Sequence, residues 1–465
     1  MRGPSRTPLV LLVLGSVATA GVVALRVSAP AAPGPASTPA PTAAPAVVEG
    51  LDAQLQRVAA TVSELRGLDA PLPPPTVLDT DALAERVAEL TAADLAVEDL
   101  ADDTTILVLL GMLPPGTDLA SLLTDALAEQ VAGFYDPRTG ELVVGRSTAP
   151  SGGATPGATP RLGRLDELTL AHELQHALAD AVLGLPDPTG SRDPGRPDPA
   201  PTELRDDDAA LAATMLVEGD ATLTMERYAA EAFTLVDQLA LGREAAGLVE
   251  QLEALESLPH VLRRSLELPY VDGLAYVQRL FDAGGWAAVD AAYADPPRTT
   301  AEVLFPDAPA VDAEPPALPA APAGSTLARR ATFGAVDLLL LLEAPGGDEA
   351  VGPADPRGLA AGWAGGQVGL WRGADDAPAL AVALEVADPA TCTTGLTGWA
   401  AALARVEGGS TSAGVPEGPT SLVTVATLPD RVVVVSCTGT TARVGVAGDR
   451  TTATDLAGPG ADALG

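Results

Sequence analysis

Apolar residues at Leu51, Leu55, Val58, Val62 and Leu65 recur at close to helical spacing through residues 50–67, and the proline cluster at 71–75 ends the pattern. The same period predicts helices over 80–90, opened by Asp79 or Thr80 as a cap, and over 119–130. The pattern then shortens. Val131-Ala132-Gly133-Phe134-Tyr135 and Glu141-Leu142-Val143-Val144-Gly145 flank Asp136-Pro137-Arg138-Thr139-Gly140, with Asp-Pro at the turn entry and Gly at its exit, which predicts two short strands in a hairpin. A Gly/Pro/Thr-rich loop over 147–163 leads to a helix that begins near Asp166 and runs to about residue 183. Six prolines within 186–201 exclude regular structure there. Further helices are predicted over 206–232, 235–257, 259–266 and 273–283.

A Pro/Ala-rich stretch over 306–325 marks a domain boundary. Beyond it the pattern predicts a helix over 327–342, strands over 367–371, 380–386, 422–427 and 432–435, and a helix over 394–406. The expected class is therefore α+β: a mainly helical domain with a short β-hairpin over 49–305, then a smaller antiparallel α+β domain over 326–465. No repeat at a fixed period is evident.

Composition adds limits. A chain of 465 residues implies two or three domains, and 47% hydrophobic with only 3% aromatic residues implies cores of Ala, Leu and Val, with Trp363, Trp371 and Trp399 read as core residues. A formal net charge of −35 excludes the basic footprint of a nucleic-acid binder, and the acids, spread along the chain, read as a hydrated surface. Arg2 and Arg6 precede an uncharged, mostly apolar run over 9–25, which as a helix would span roughly 26 Å, marginal for a bilayer. Residues 1–26 therefore read as a signal anchor or, with Ala18-Thr19-Ala20 as a small-x-small cleavage site, as a signal peptide. The Ala/Pro tether over 27–48 favours the anchor: a single span in the cell membrane with the bulk of the chain outside the cytoplasm. No cysteine follows the run to take a lipid. The only two cysteines, Cys392 and Cys437, are expected to pair in an oxidising compartment, the alternative being two buried thiols.

The chemistry gathers in the helix near Asp166. His172-Glu173-Leu174-Gln175-His176 is an H-E-x-x-H sequence, and it holds two of the three histidines in the chain. Four residues apart on a helix, the two imidazoles share a face and can converge on one ion, with Glu173 beside them to polarise water rather than to bind metal. The expected cofactor is zinc (Zn2+). A catalytic zinc needs a third protein ligand. Either His260, the remaining histidine, or a carboxylate must supply it. Glu218 is the better candidate, because it lies among Met215, Leu216, Val217, Ala221 and Leu223, where an unpaired carboxylate is costly to bury. Asp180 and Asp220 are candidates to hold a ligand histidine through its far nitrogen, against solvation or capping as the ordinary alternative. The implied reaction is metal-assisted hydrolysis of an amide, with Glu173 as general base. Tyr228, Tyr270, Tyr276 and His260 are candidate donors to the oxyanion.

The pair H172-E173-x-x-H176 and, 42 residues on, Glu218 in an E-G-D-A-T context resembles the gluzincin branch of zinc metallopeptidases. More closely it resembles a group of bacterial envelope proteins carrying H-E-[LF]-x-H-A-L-x-D and V-E-G-D-A-T, here at His172 to Asp180 and Val217 to Thr222. Those proteins also have an F-Y-D-P hairpin, here Phe134 to Pro137, and a segment like Gly284 to Leu304. The resemblance covers roughly residues 120–310. It implies a zincin-like peptidase domain with His172, His176 and Glu218 as ligands, Glu173 as base, a protein or peptide substrate, and a hairpin edge that holds that substrate extended. Two departures stand out: Phe305 replaces an expected His, and Thr222 stands where many gluzincins carry an Asp, so the usual partner there does not carry over. The competing expectation is a non-catalytic envelope binding or assembly protein with a structural zinc, in which the C-terminal domain is an interaction or inhibitory module.

Overall fold

The computed structural model describes residues 50–94, 97–146, 161–186, 203–308, 316–414 and 421–458. The apolar run over 9–25 and the tether over 27–48 lie outside them, and among the described residues no helix is long and apolar enough to cross a membrane. The fold is α+β with two sheets.

The chain opens on α1 (Leu51–Arg66), which ends at Gly67 with φ 68° in the left-handed region. Strand β1 (Thr76–Asp79) runs into α2 (Thr80–Asp94), whose first turn is capped by Asp79 accepting from Ala82 N at 3.0 Å. After α3 (Val97–Leu109) and α4 (Leu119–Gln130) comes the predicted hairpin, β2 (Gly133–Asp136) and β3 (Glu141–Arg146). Its turn is held by Asp136 accepting from Arg138 N at 2.9 Å, with Gly140 at φ 69°. The three strands are ordered β1-β3-β2, with β1 parallel and β2 antiparallel to β3, so β2 is an edge. Two long helices follow, α5 (Arg164–Val182) and α6 (Asp207–Ala232), then α7 (Leu235–Ala245), α8 (Val249–Glu256), α9 (His260–Gly284), α10 (Trp286–Ala294) and α11 (Thr300–Leu304).

Two predicted helices, 259–266 and 273–283, are one. α9 continues through Pro269, which removes a backbone donor, because Leu266, Leu268, Tyr270, Leu274 and Val277 are buried along its length and that packing outweighs the lost bond. The predicted helix over 235–257 is instead two, parted by a 3-10 turn at Ala246–Leu248.

The second sheet comprises β4 (Thr326–Thr332), β5 (Trp363–Arg372), β6 (Pro378–Val386), β7 (Ser410–Gly414), β8 (Ser421–Thr427), β9 (Val432–Thr438) and β10 (Thr441–Ala447). It is antiparallel throughout, in the order β4-β5-β6-β10-β9-β8-β7. Helices α12 (Ala335–Glu343), α13 (Pro356–Ala360), α14 (Thr397–Val406) and α15 (Arg450–Ala457) accompany it. The predicted helix over 327–342 is thus a strand and a helix. Residues 326–332 pair with β5, and Gly334, where a Cβ would meet Asp208 Oδ1 at 1.9 Å, breaks the two apart. Cys392 and Cys437 form a disulfide with Cα atoms 5.8 Å apart, tying the turn before α14 to β9.

The predicted boundary at 306–325 does not interrupt the hydrophobic core. One cluster joins Ile106 and Leu109 of α3, Met215 of α6 and Leu268 of α9 to Val336 and Leu341 of α12 and to Leu370, Leu384 and Val444 of the large sheet. Polar ties reinforce it: Arg372 meets Asp102 at 2.8 Å and Arg431 donates to Leu109 O at 3.0 Å.

Candidate metal centre

α5 is buried from Leu165 to Ala179 and α6 along most of its length, so both are enclosed rather than one-sided helices. Their crossing places Glu218 against the two histidines. His172 Nε2 lies 3.1 Å from His176 Nε2 and 3.1 Å from Glu218 Oε2, and His176 Nε2 lies 3.5 Å from the same oxygen. The imidazole planes stand at 83° with centroids 4.7 Å apart. A tetrahedral zinc with bonds of about 2.0–2.1 Å sets its ligand atoms roughly 3.3–3.4 Å apart, so this triangle fits one face of such a site. The surrounding polar atoms fit it as well. Glu218 Oε1 and Glu173 Oε2 are buried without a hydrogen-bond partner, and the Tyr270 hydroxyl is buried beside both carboxylates.

At these distances the three groups compete for protons, since only one of two facing Nε2 atoms can carry hydrogen. Burial, with His176 alongside, depresses His172. Burial also opposes charge on His176, yet the carboxylates of Glu218, Glu173 and Asp220 carry it upward. Glu218 itself is held low against its burial by both imidazoles. Glu173 is pushed up to about 8 by burial and by Glu218, partly offset by His176 and by a hydrogen bond from the Tyr135 backbone. That donor is an edge group. Gly145 N bonds to Ala132 O, so Phe134 and Asp136 face β3 in the ladder while Gly133 and Tyr135 point their backbone groups outward.

The other predicted residues divide. Asp220 holds neither histidine, and the far nitrogens His172 Nδ1 and His176 Nδ1 have no hydrogen-bond partner among the described residues. Two residues beyond Glu218, Asp220 points toward α1 and α10. It accepts from Arg66 at 3.0 Å, Tyr293 OH at 2.9 Å and Gln175 at 2.7 Å, reaching α5 through Gln175. Arg66 also meets Asp290 at 2.8 Å and lies over the Trp286 ring. Asp180 accepts from Tyr135 OH at 2.8 Å, tying the end of α5 to β2 rather than to a histidine.

His260 lies outside the group of His172, His176 and Glu218, its ring nitrogens 2.8 Å from Glu343 and 2.7 Å from Glu349. Among the candidate oxyanion donors, Tyr228 gives its hydroxyl to Glu167 and Tyr276 packs beside Arg279. Tyr270 is at the site: its ring lies 6.1 Å from that of His172, and Glu218 and Glu173 push its hydroxyl further above a pKa already raised by burial. The Arg66 network escaped the sequence reading. Its trace is an arginine at the helical position that follows Val58 and Val62 on the buried face of α1.

Comparison of the chain with protein-family models, with curated proteins and with solved structures returned no match.

Proposed function

We propose that this chain is a zinc-dependent peptidase of gluzincin type, with a zincin-like helical domain, held at the outer face of the cell membrane by its N-terminal apolar run. The observation that carries the reading is the convergence of two imidazoles and one carboxylate, His172, His176 and Glu218, in one buried group with Glu173 and Tyr270 beside it. Three protein ligands are the donor set of a catalytic zinc, whereas structural zinc takes four. Zinc, when bound, supplies a Lewis acid that brings the acidity of water toward neutrality. Glu173 takes the proton of the water that attacks the carbonyl carbon and passes it to the amine nitrogen as the C–N bond breaks. Tyr270 donates its hydroxyl hydrogen to the oxyanion of the tetrahedral intermediate. The outward backbone groups of Gly133 and the outward carbonyl of Tyr135, whose N–H is given to Glu173, pair with an extended peptide, which makes that peptide the substrate class.

Metal analysis with a peptide-library cleavage assay tests the reading. Wild type should carry about one zinc per chain, and Glu173→Ala should keep it while losing cleavage. A metal-free wild type, or an active Glu173→Ala, contradicts the mechanism. Burial favours a second reading, a non-catalytic envelope binding protein with a structural zinc, since Glu218 is 0% and both histidines 2% exposed. Under that reading a chelator lowers the melting temperature sharply and no substrate is ever cut.

A further inference from the structure

The three most exposed large apolar side chains among the described residues lie on one short helix. Leu235, Val236 and Leu239 of α7 are 72%, 73% and 55% exposed. At about 100° per residue they occupy one flank of the helix, and the exposed Arg243, one turn beyond Leu239, continues it. Asp237, Leu241 and Glu244 share the opposite flank, and each is engaged. Leu241 is buried, Asp237 meets Arg164 at 2.8 Å, and Glu244 accepts from Leu165 N at 2.9 Å at the start of α5. The helix is also fixed at its start, where Thr234 and Asp237 cap it reciprocally. α7 is therefore a docked, well-capped helix whose outer flank is apolar and turned to solvent.

What covers that flank follows from where the chain enters the fold. Gln54, in the first turn of α1, donates to Glu167 at 2.9 Å and accepts from Leu162 N at 3.0 Å. The first turn of α1 and the inner flank of α7 thus hold the same short stretch, residues 162–167. From that turn the tether over 27–48 leads back to the apolar run over 9–25, and its 22 residues span at most about 80 Å. Size and charge decide against a second copy as the occupant. Three side chains fall far short of the roughly 20–30 residues a side that a stable protein interface uses, and a chain of net charge −35 repels its own copy. A bilayer needs no such area. An apolar flank with a basic residue at its end matches the acyl boundary and the phosphates above it, and a contact too weak alone gains strength when an anchor keeps it within reach.

We propose that the outer flank of α7, Leu235, Val236 and Leu239 with Arg243, seats on the lipid bilayer that holds the N-terminal run. The nearness of the bilayer rests on the anchor reading, while the affinity of the flank for lipid does not. The contact turns the start of α5 toward the bilayer, with His172 eight residues, about 12 Å, further along that helix.

The test uses the full chain with phosphatidylcholine vesicles. Cys392 and Cys437 are joined to each other, so a single added cysteine takes a fluorescent label. Val236→Cys carrying nitrobenzoxadiazole should shift to the blue on vesicles and lose most of its emission when the lipid carries a doxyl quencher. The same label at Thr411→Cys, exposed on β7 of the other sheet, should keep its emission. Leu235→Ser with Leu239→Ser should restore the emission at position 236 and leave the melting temperature unchanged, because neither side chain is packed in the fold. A vesicle-bound chain whose label at 236 stays unquenched overturns the proposal and leaves the anchor standing. Equal quenching at 236 and 411 overturns it as well, since the flank is then no different from the rest of the surface. Emission at 236 that follows protein concentration without lipid assigns the flank to a second copy and also overturns it. A chain that separates from vesicles on flotation yet is quenched at 236 in excess lipid keeps the lipid-binding flank and loses the anchor reading.

Discussion

Four side chains could donate to an oxyanion, and what separates them is what each already holds. Tyr228 is committed to Glu167, His260 to Glu343 and Glu349, and Tyr276 lies beside Arg279, whereas the Tyr270 hydroxyl is buried at the site itself, beside Glu218 and Glu173. Tyr270→Phe should therefore lower kcat about 100- to 1,000-fold, with zinc content and KM unchanged; loss of zinc from the variant would assign Tyr270 to holding the site together instead. Arg66 makes the complementary case, a charge whose work is structural. With Asp220 at 3.0 Å and both side chains fully buried, Arg66→Ala should cost about 3–5 kcal/mol by leaving an uncompensated carboxylate, and Arg66→Met combined with Asp220→Asn should recover much of it in thermal denaturation. The pairing of His172 with His176 was legible in the sequence because the chain spends two of only three histidines at helical spacing. Arg66 was not, because its partner Asp220 is 154 residues away and no local pattern joins them.

At the scale of elements, the crossing of α6 and α9 sets the site. Gly219 directly follows Glu218, and Gly219 and Gly273 let the two backbones touch: a Cβ on Gly273 would meet Met215 O at 2.3 Å. Gly219→Ala should push the helices apart, costing about 1–3 kcal/mol and weakening zinc binding by shifting Glu218 and Tyr270 away from the histidines. The measurements are melting temperature and zinc affinity, and an unchanged affinity would show that the ligand position does not depend on the crossing. The disulfide acts on a different element pair. A sequence separation of 45 residues corresponds to about 4 kcal/mol of chain entropy, so Cys392→Ser with Cys437→Ser should lower the unfolding midpoint accordingly. Elements with one clear period, such as α1 and the hairpin, were readable along the chain. β10, central in its sheet, was not: Gly445 interrupts its alternation, and its reason is tertiary, since a Cβ there would meet Ala453 O of α15 at 2.1 Å. The strand at 326–332 was likewise hidden, because its pairing with β5 decides it and its own residues do not.

For the whole molecule, the continuous core means that the large sheet and the helices carrying His172, His176 and Glu218 share stability, and their junction carries a pH dependence. Asp208 at the start of α6 accepts from Thr300 N at 3.2 Å at the start of α11, and Asp337 of α12 accepts from Gly334 N at 2.7 Å. Burial pushes Asp208 up to about 7, with Asp337 and Asp206 adding and the Thr300 hydrogen bonds opposing. Burial likewise pushes Asp337 up to about 7, with Asp207 and Asp103 adding and the Gly334 N–H opposing. The nearby cation Arg329 is spent on Asp103 and Asp207, and Arg205 also meets Asp207. Below the ordinary value of 3.8 both folded and unfolded chains hold these protons, so the contribution is fully present. Between there and about 7 the unfolded chain releases protons that the folded chain retains, and stability falls as pH rises. Each carboxyl should thus remove on the order of 2 kcal/mol between pH 5.5 and 8. The zinc-loaded protein should melt higher at pH 5.5 than at pH 8. Asp337→Asn, which keeps an acceptor for Gly334 N–H and cannot ionise, should flatten that slope and gain most at pH 8. An Asp337→Asn protein whose melting temperature follows pH as steeply as wild type would remove this junction as the source of the dependence.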